Sequence, residues 1–193
     1  MLAVRRNRFD HLCSVLSGRV TATGWLTRDI PALDINNWFG IVGPAGLPAD
    51  IKASLAKLFI DAASTGATMF LGVLADGPSN TLWACQLQAV AGTTNRKSTI
   101  RSFDLTTAAP KLSWVLPGDN NTCNDIAIGP DKAAYFSDTA GAKIYRIKAG
   151  ASEGELVLEN QRLLNGIDGL AFMGGVLYVN NVASNQIYRV PMD

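Results

Sequence analysis

Histidine is nearly absent from this chain. His11 is the single one in 193 residues, and it lies far from the repeated segments considered below. Ser-His-Asp and Cys-His chemistry is therefore excluded from those segments. Cysteine is also scarce. Cys13, Cys85 and Cys123 are odd in number and widely spaced, with no Cys-x-x-Cys or zinc-ligand spacing. They read as buried or idle thiols. No run approaches the roughly 18 apolar residues of a membrane-crossing helix, so no membrane span is expected. The segment 1–13 lacks the apolar stretch of a signal peptide, and the chain as written is expected in the cytoplasm. A surplus of one charge is missing too. The net charge is +1, which gives no long-range pull on nucleic acid or anionic membranes. The cluster Arg5, Arg6 and Arg8 is too short to change this and reads as a solvated terminus.

What is present is apolar residues and a repeat. Apolar residues make up 48% of the chain and charged residues 17%, enough to bury a sizeable core. Residues 126–146 recur as residues 170–189. Tyr135 and Tyr178 are 43 positions apart, as are Asp138 and Asn181, Ile144 and Ile187, Tyr145 and Tyr188, and Arg146 and Arg189. A period in the forties, built from short apolar strands and Gly/Asp turns, is the pattern of β-propeller blades.

The character of the chain changes near Ser64. Residues 1–64 read as an α/β segment. Residues 35–42 form a strand candidate, Gly43-Pro44-Ala45-Gly46 a turn, and Pro48 suits the first position of a helix. In that helix Ile51, Leu55, Leu58, Phe59 and Ala62 share one stripe. Residues 65–193 read as all β. The expected strands are 69–75, 81–86, 99–105 and 112–116, then 125–128, 134–137, 143–147 and 155–158, then 169–172, 176–180 and 186–190. A polar loop is expected over 92–97. The fold class is thus mainly β, an incomplete β-propeller with two full four-stranded blades and part of a third, behind a short α/β segment. The recurring Tyr135, Tyr145, Tyr178 and Tyr188, with Trp83 and Trp114, are expected to pack between blades. Asp138 and Asn181 are expected to shape the turn after the second strand.

Two family resemblances follow from particular phrases. Cys123-Asn124-Asp125-Ile126-Ala127-Ile128-Gly129-Pro130-Asp131, Tyr135-Phe136-Ser137-Asp138-Thr139 and Ile144-Tyr145-Arg146 resemble the senescence-marker-protein/gluconolactonase family of six-bladed propellers. Asn165-Gly166-Ile167-Asp168-Gly169-Leu170 and Leu177-Tyr178-Val179-Asn180-Asn181 repeat the theme. The resemblance covers residues 70–193. Residues 31–62, beginning Pro31-Ala32-Leu33-Asp34-Ile35-Asn36-Asn37-Trp38-Phe39-Gly40, resemble the late part of periplasmic solute receptors of tripartite tricarboxylate transporters, which bind small carboxylates. Both families include exported proteins. The two pieces side by side imply a fused or shortened reading frame.

The candidate chemistry lies just before the first strand of each blade, at the channel mouth of a propeller. Asn124 stands two positions before Ile126, and Asp168 two before Leu170. The two are expected to be equivalent on adjacent blades, and both supply oxygen, which suits a hard cation such as Ca²⁺. The resemblance implies the same. In lactonases of this family a divalent metal, here Ca²⁺ or Zn²⁺, is held by Asn and Asp residues at these strand starts together with a Glu from an early blade. Asn124 matches one Asn ligand, and Asp168 matches an Asp that serves both the metal and the attacking water. The metal polarises the lactone carbonyl, a Lewis-acid route that needs no histidine. The early-blade Glu has no counterpart here. The first unit offers only Thr68 and Met69 near the corresponding place. Asp125 and Asn165 are weaker candidates whose side chains are expected to make turns. The implied function is metal-dependent hydrolysis of a lactone or related cyclic ester, with a sugar-derived small molecule as substrate. The alternatives are a non-catalytic propeller segment that binds a partner or small ligand, and a solute-receptor fragment. Unpaired blade edges are expected to favour self-association.

Overall fold

The computed structural model describes residues 69–191. The expected boundary at 64/65, the strand 35–42, the helix after Pro48, the receptor-like segment and Cys13 lie outside the described residues. Within them the chain forms eleven strands and no helix. They are β1 (Met69–Asp76), β2 (Thr81–Ala89), β3 (Arg96–Asp104), β4 (Pro110–Val115), β5 (Cys123–Ile128), β6 (Ala134–Asp138), β7 (Lys143–Ile147), β8 (Glu155–Glu159), β9 (Ile167–Met173), β10 (Val176–Asn181) and β11 (Gln186–Val190). They make three antiparallel sheets, β1–β4, β5–β8 and β9–β11, each in plain sequential order. β1 packs on β5, and β5 on β9. The first strand of each sheet is therefore the innermost, which is the arrangement of propeller blades.

Two apolar layers hold the sheets together, and alternation along the strands builds both. On β6, Ala134 and Phe136 face the first sheet, where they meet Cys85, Ile100 and Leu116. Tyr135 points the other way, toward Ile167, Leu170, Leu177 and Val179 of the third sheet. On β7, Tyr145 and Ile147 join the first layer and Ile144 the second. Every residue of β6 is consequently buried. The repeated aromatics close the layers edge to face. Trp83 meets Phe136 at 5.7 Å between ring centres, Trp114 meets Tyr145 at 5.6 Å, and Tyr135 meets Phe172 at 5.0 Å. Burial, then the charges of Asp138 and Glu159, push the Tyr145 hydroxyl up to about 12. The expectation that these tyrosines and tryptophans pack between blades matches Trp83, Trp114, Tyr135 and Tyr145.

The cysteines depart from expectation. Cys85 of β2 and Cys123 of β5 form a disulfide, with Cα atoms 5.4 Å apart and both residues fully buried. It crosses the layer between the first two sheets. The sequence did not suggest this pair because the partners are 38 positions apart and meet only when the sheets stack.

The three innermost strands share one irregularity. Phe70 pairs with Gln86 and Val73 with Ala84, so three residues of β1 span two of β2. Cys123 and Ile126 stand in the same relation to Asp138 and Phe136. Ile167 and Leu170 repeat it against Asn181 and Val179. Each inner strand therefore carries a β-bulge at the same place, made of Leu71-Gly72, Asn124-Asp125 and Asp168-Gly169. On β5 and β9 the bulge frees a backbone N–H, and the facing strand supplies a side-chain acceptor for it. The Asp125 N–H donates to Ser137 Oγ at 2.9 Å. The Gly169 N–H donates to Asn180 Oδ1. Gly72 is required on β1 by close approach: a methyl group there would lie 2.5 Å from the Asn124 carbonyl oxygen.

Asp138 and Asn181 close the second strands of their sheets, as the repeat implies. Asp138 Oδ1 accepts from the Thr122 N–H at 2.7 Å and the Gly141 N–H at 3.0 Å. Asn181 Oδ1 accepts from the Ala183 and Ser184 N–H groups at 2.9 and 3.0 Å. Both shape the turn that follows. Burial raises the Asp138 carboxyl above its ordinary value despite these bonds. The folded protein then holds that proton more tightly than the unfolded chain does. The group's contribution is greatest below the ordinary carboxylate range and is lost as pH rises through its folded pKa. Asp138→Asn should therefore gain in melting temperature relative to the parent as pH goes from about 4 to 7. Thermal melts across that range check this, and a pH-independent or opposite difference would count against it.

Candidate functional site

The candidate site is built on the bulges of β5 and β9. The shared register, Ile126 with Phe136 and Leu170 with Val179, makes Asn124 and Asp168 equivalent, as the spacing from Ile126 and Leu170 implies. The equivalent residue on β1 is Leu71. The sequence pointed to Thr68 and Met69 instead, because the extra bulge residue cannot be counted without its pairing strand. Leu71 is as poor a ligand as either.

Two hydroxyls of the second sheet tie these bulges to each other. Ser137 Oγ accepts from the Asp125 N–H and donates to the Asp168 carbonyl oxygen at 2.6 Å. Thr139 Oγ1 accepts from Asn124 Nδ2 at 3.1 Å and donates to the Ile167 carbonyl oxygen at 2.6 Å. Neither residue stood out in the sequence beyond the phrase that contains them. Their spacing of two, on one face of a strand and its extension, is the signal that could have found them.

The four residues singled out in the sequence separate into different roles. Asn124 is half-buried, with its amide nitrogen bonded to Thr139. Asp168 is half-buried, and its carboxylate receives no hydrogen bond among the described residues, while its backbone carbonyl is held by Ser137. Asp125 is committed elsewhere. Its Oδ2 accepts from the Leu170 N–H at 2.7 Å, clasping β9 to β5. This corrects the expectation that its side chain turns back on its own backbone: the bulge places that carboxylate beside the neighbouring sheet. Asn165 is exposed, and its backbone carbonyl oxygen accepts from Asn181 Nδ2 at 2.8 Å.

The donor set can be judged by kind and by number. An Asn oxygen and an Asp carboxylate are the right kind for Ca²⁺, which takes six to eight oxygens at about 2.3–2.6 Å. In number they fall short. No cluster of three or more His, Cys, Asp or Glu able to hold a metal occurs among the described residues, and the third equivalent position is Leu71. The three equivalent bulge positions thus offer two oxygen donors and no complete ligand set.

No protein-family model matches the chain, and no curated protein matches it. Solved structures do match. The Nidogen/Laminin complex aligns over 66% of this chain and 45% of that one, with 13% identity and a TM-score of 0.48. A protein of unknown function from Bacteroides caccae aligns over 63% of this chain and 45% of that one, with 16% identity and a TM-score of 0.41. The chain spans less than half the length of either structure. The propeller assignment rests on the sheet order, the inner-strand packing and the repeated bulges described above.

Proposed function

We propose that the chain is a segment of a gluconolactonase-like propeller in which Asn124 Oδ1 and the Asp168 carboxylate are two of the ligands of a divalent metal, Ca²⁺ or Zn²⁺. The reaction of the complete site is hydrolysis of a lactone or related cyclic ester. One observation carries the reading: two oxygen-bearing side chains occupy the same bulge position on adjacent inner strands, and neither oxygen function is consumed by an internal hydrogen bond among the described residues. The remaining ligands would have to come from elsewhere than β1, β5 and β9. The cystine supports an oxidising compartment as the place of action rather than the cytoplasm.

Leu71 at the third equivalent position favours a second reading, a non-catalytic propeller segment that binds a partner or small ligand. A hydrolysis assay separates the two. The catalytic reading expects lactone hydrolysis that depends on added Ca²⁺ or Zn²⁺ and falls to background in Asp168→Ala. Equal rates in parent and variant, or no metal-dependent turnover in either, would leave the binding reading in its place.

A further inference from the structure

The bonding around Thr139 determines which end of the Asn124 amide is offered to a ligand. Thr139 Oγ1 lies 2.6 Å from the Ile167 carbonyl oxygen. A hydroxyl has one proton, and a backbone carbonyl can only accept. The Thr139 proton therefore goes to Ile167. The same oxygen lies 3.1 Å from the Asn124 amide and has only acceptor capacity left for it. The Asn124 atom facing Thr139 must then be the NH2 group, and Oδ1 is the end turned away.

The other two sheets show that this hydroxyl is not simply part of the repeat. Following Gln86, Asp138 and Asn181, which occupy the same register position, the next residues are Leu87, Thr139 and Val182. By repeat position these correspond to the bulge residues Leu71, Asn124 and Asp168, although across the ladder Leu87 pairs with Met69 and the N–H groups of Thr139 and Val182 donate to Thr122 and Gly166. A hydroxyl stands only where the bulge carries an amide, whose two ends differ. Asp168 has two identical oxygens, so no partner is needed to choose between them.

We infer that Thr139 is a positioning residue that orients Asn124 so that Oδ1 is its ligating atom. The inference rests on the metal reading above for the ligand, but the orientation itself does not depend on it. Two measurements on the full chain test it. Without metal, nuclear magnetic resonance of the Asn124 side-chain amide, assigned by its loss in Asn124→Asp, should show one exchange-protected proton, the one donated to Thr139. That protection should persist in Thr139→Ser and vanish in Thr139→Val. In calorimetric titrations with Ca²⁺ and with Zn²⁺, Thr139→Val should weaken affinity by about 10- to 100-fold, and Thr139→Ser should restore it. In an Asn124→Asp background, where both oxygens are alike, Thr139→Val should lose most of its effect. Protection that survives in Thr139→Val would overturn the inference. So would an equal loss of affinity in both backgrounds, which marks a general structural role. A parent protein with the protected proton but no binding of either ion would overturn the metal reading while upholding the orientation.

Discussion

Reducing the Cys85–Cys123 bond, or replacing both residues by alanine, should lower the melting temperature by about 10 °C. The bond joins residues 38 positions apart. By the loop-closure argument, a cross-link over that distance removes about 4 kcal/mol of unfolded-state entropy. Its location adds to the effect, because it spans the buried layer between the first and second sheets, and Cys123 opens the strand whose next residue is Asn124. Differential scanning calorimetry with and without a dithiol reductant measures the shift. A non-reducing digest should contain the two linked peptides. Identical melts in both conditions, with no linked peptides, would show that the two thiols stay free.

Phe136→Ala should be among the most destabilising single substitutions, at about 3–5 kcal/mol. Phe136 is fully buried at the centre of the first layer and meets Trp83 edge to face. The repeat supplies an internal control. Ile144 and Ile187 are equivalent by sequence, yet Ile144 is fully buried while Ile187 is 75% exposed. Ile144 lies against the third sheet, whereas no further described sheet covers Ile187. Ile144→Ala should therefore cost about 2–5 kcal/mol and Ile187→Ala within about 0.5 kcal/mol of nothing. Urea unfolding of the three variants checks the order. Similar losses for Ile144→Ala and Ile187→Ala would contradict the stacking of the sheets.

The strands were largely legible in the sequence because their alternation is local. β7 and β11 fall at the residues read from the pattern, and the others shift by one to three residues at their ends. The largest shifts, three residues each, are at the end of β2 and the start of β3. Arg96 and Lys97 looked like loop but pair with Ala89 and Gln88, since a hairpin extending beyond the core can keep polar residues in its ladder. What was hidden depends on contacts between sheets. The disulfide, the Asp125 clasp on Leu170 and the Ser137 and Thr139 bridges all need two sheets to be stacked before their partners meet. The repeat also conceals a slip. Ala127 pairs with Tyr135 and Ala171 with Tyr178, so the connecting turn is one residue shorter in the third sheet. The spacing is 43 for the second and third strands but 44 for the first, and this is why Asn124 matches Asp168 while Asp125 matches Gly169. The equivalence of the two candidate donors was legible, because Ile126 and Leu170 mark it. The failure of β1 to add a third donor became definite only with the bulge that brings Leu71 to that position.

The central claim is that the bulges of β5 and β9 present two oxygens to one cation. Calorimetric titration of the full chain with Ca²⁺, and separately with Zn²⁺, tests it most directly. The account predicts a single-site isotherm for at least one ion, with affinity lowered by an order of magnitude or more in both Asn124→Ala and Asp168→Ala and unchanged in Asn165→Ala. Absence of binding in the parent protein, or binding that survives both substitutions, would contradict it.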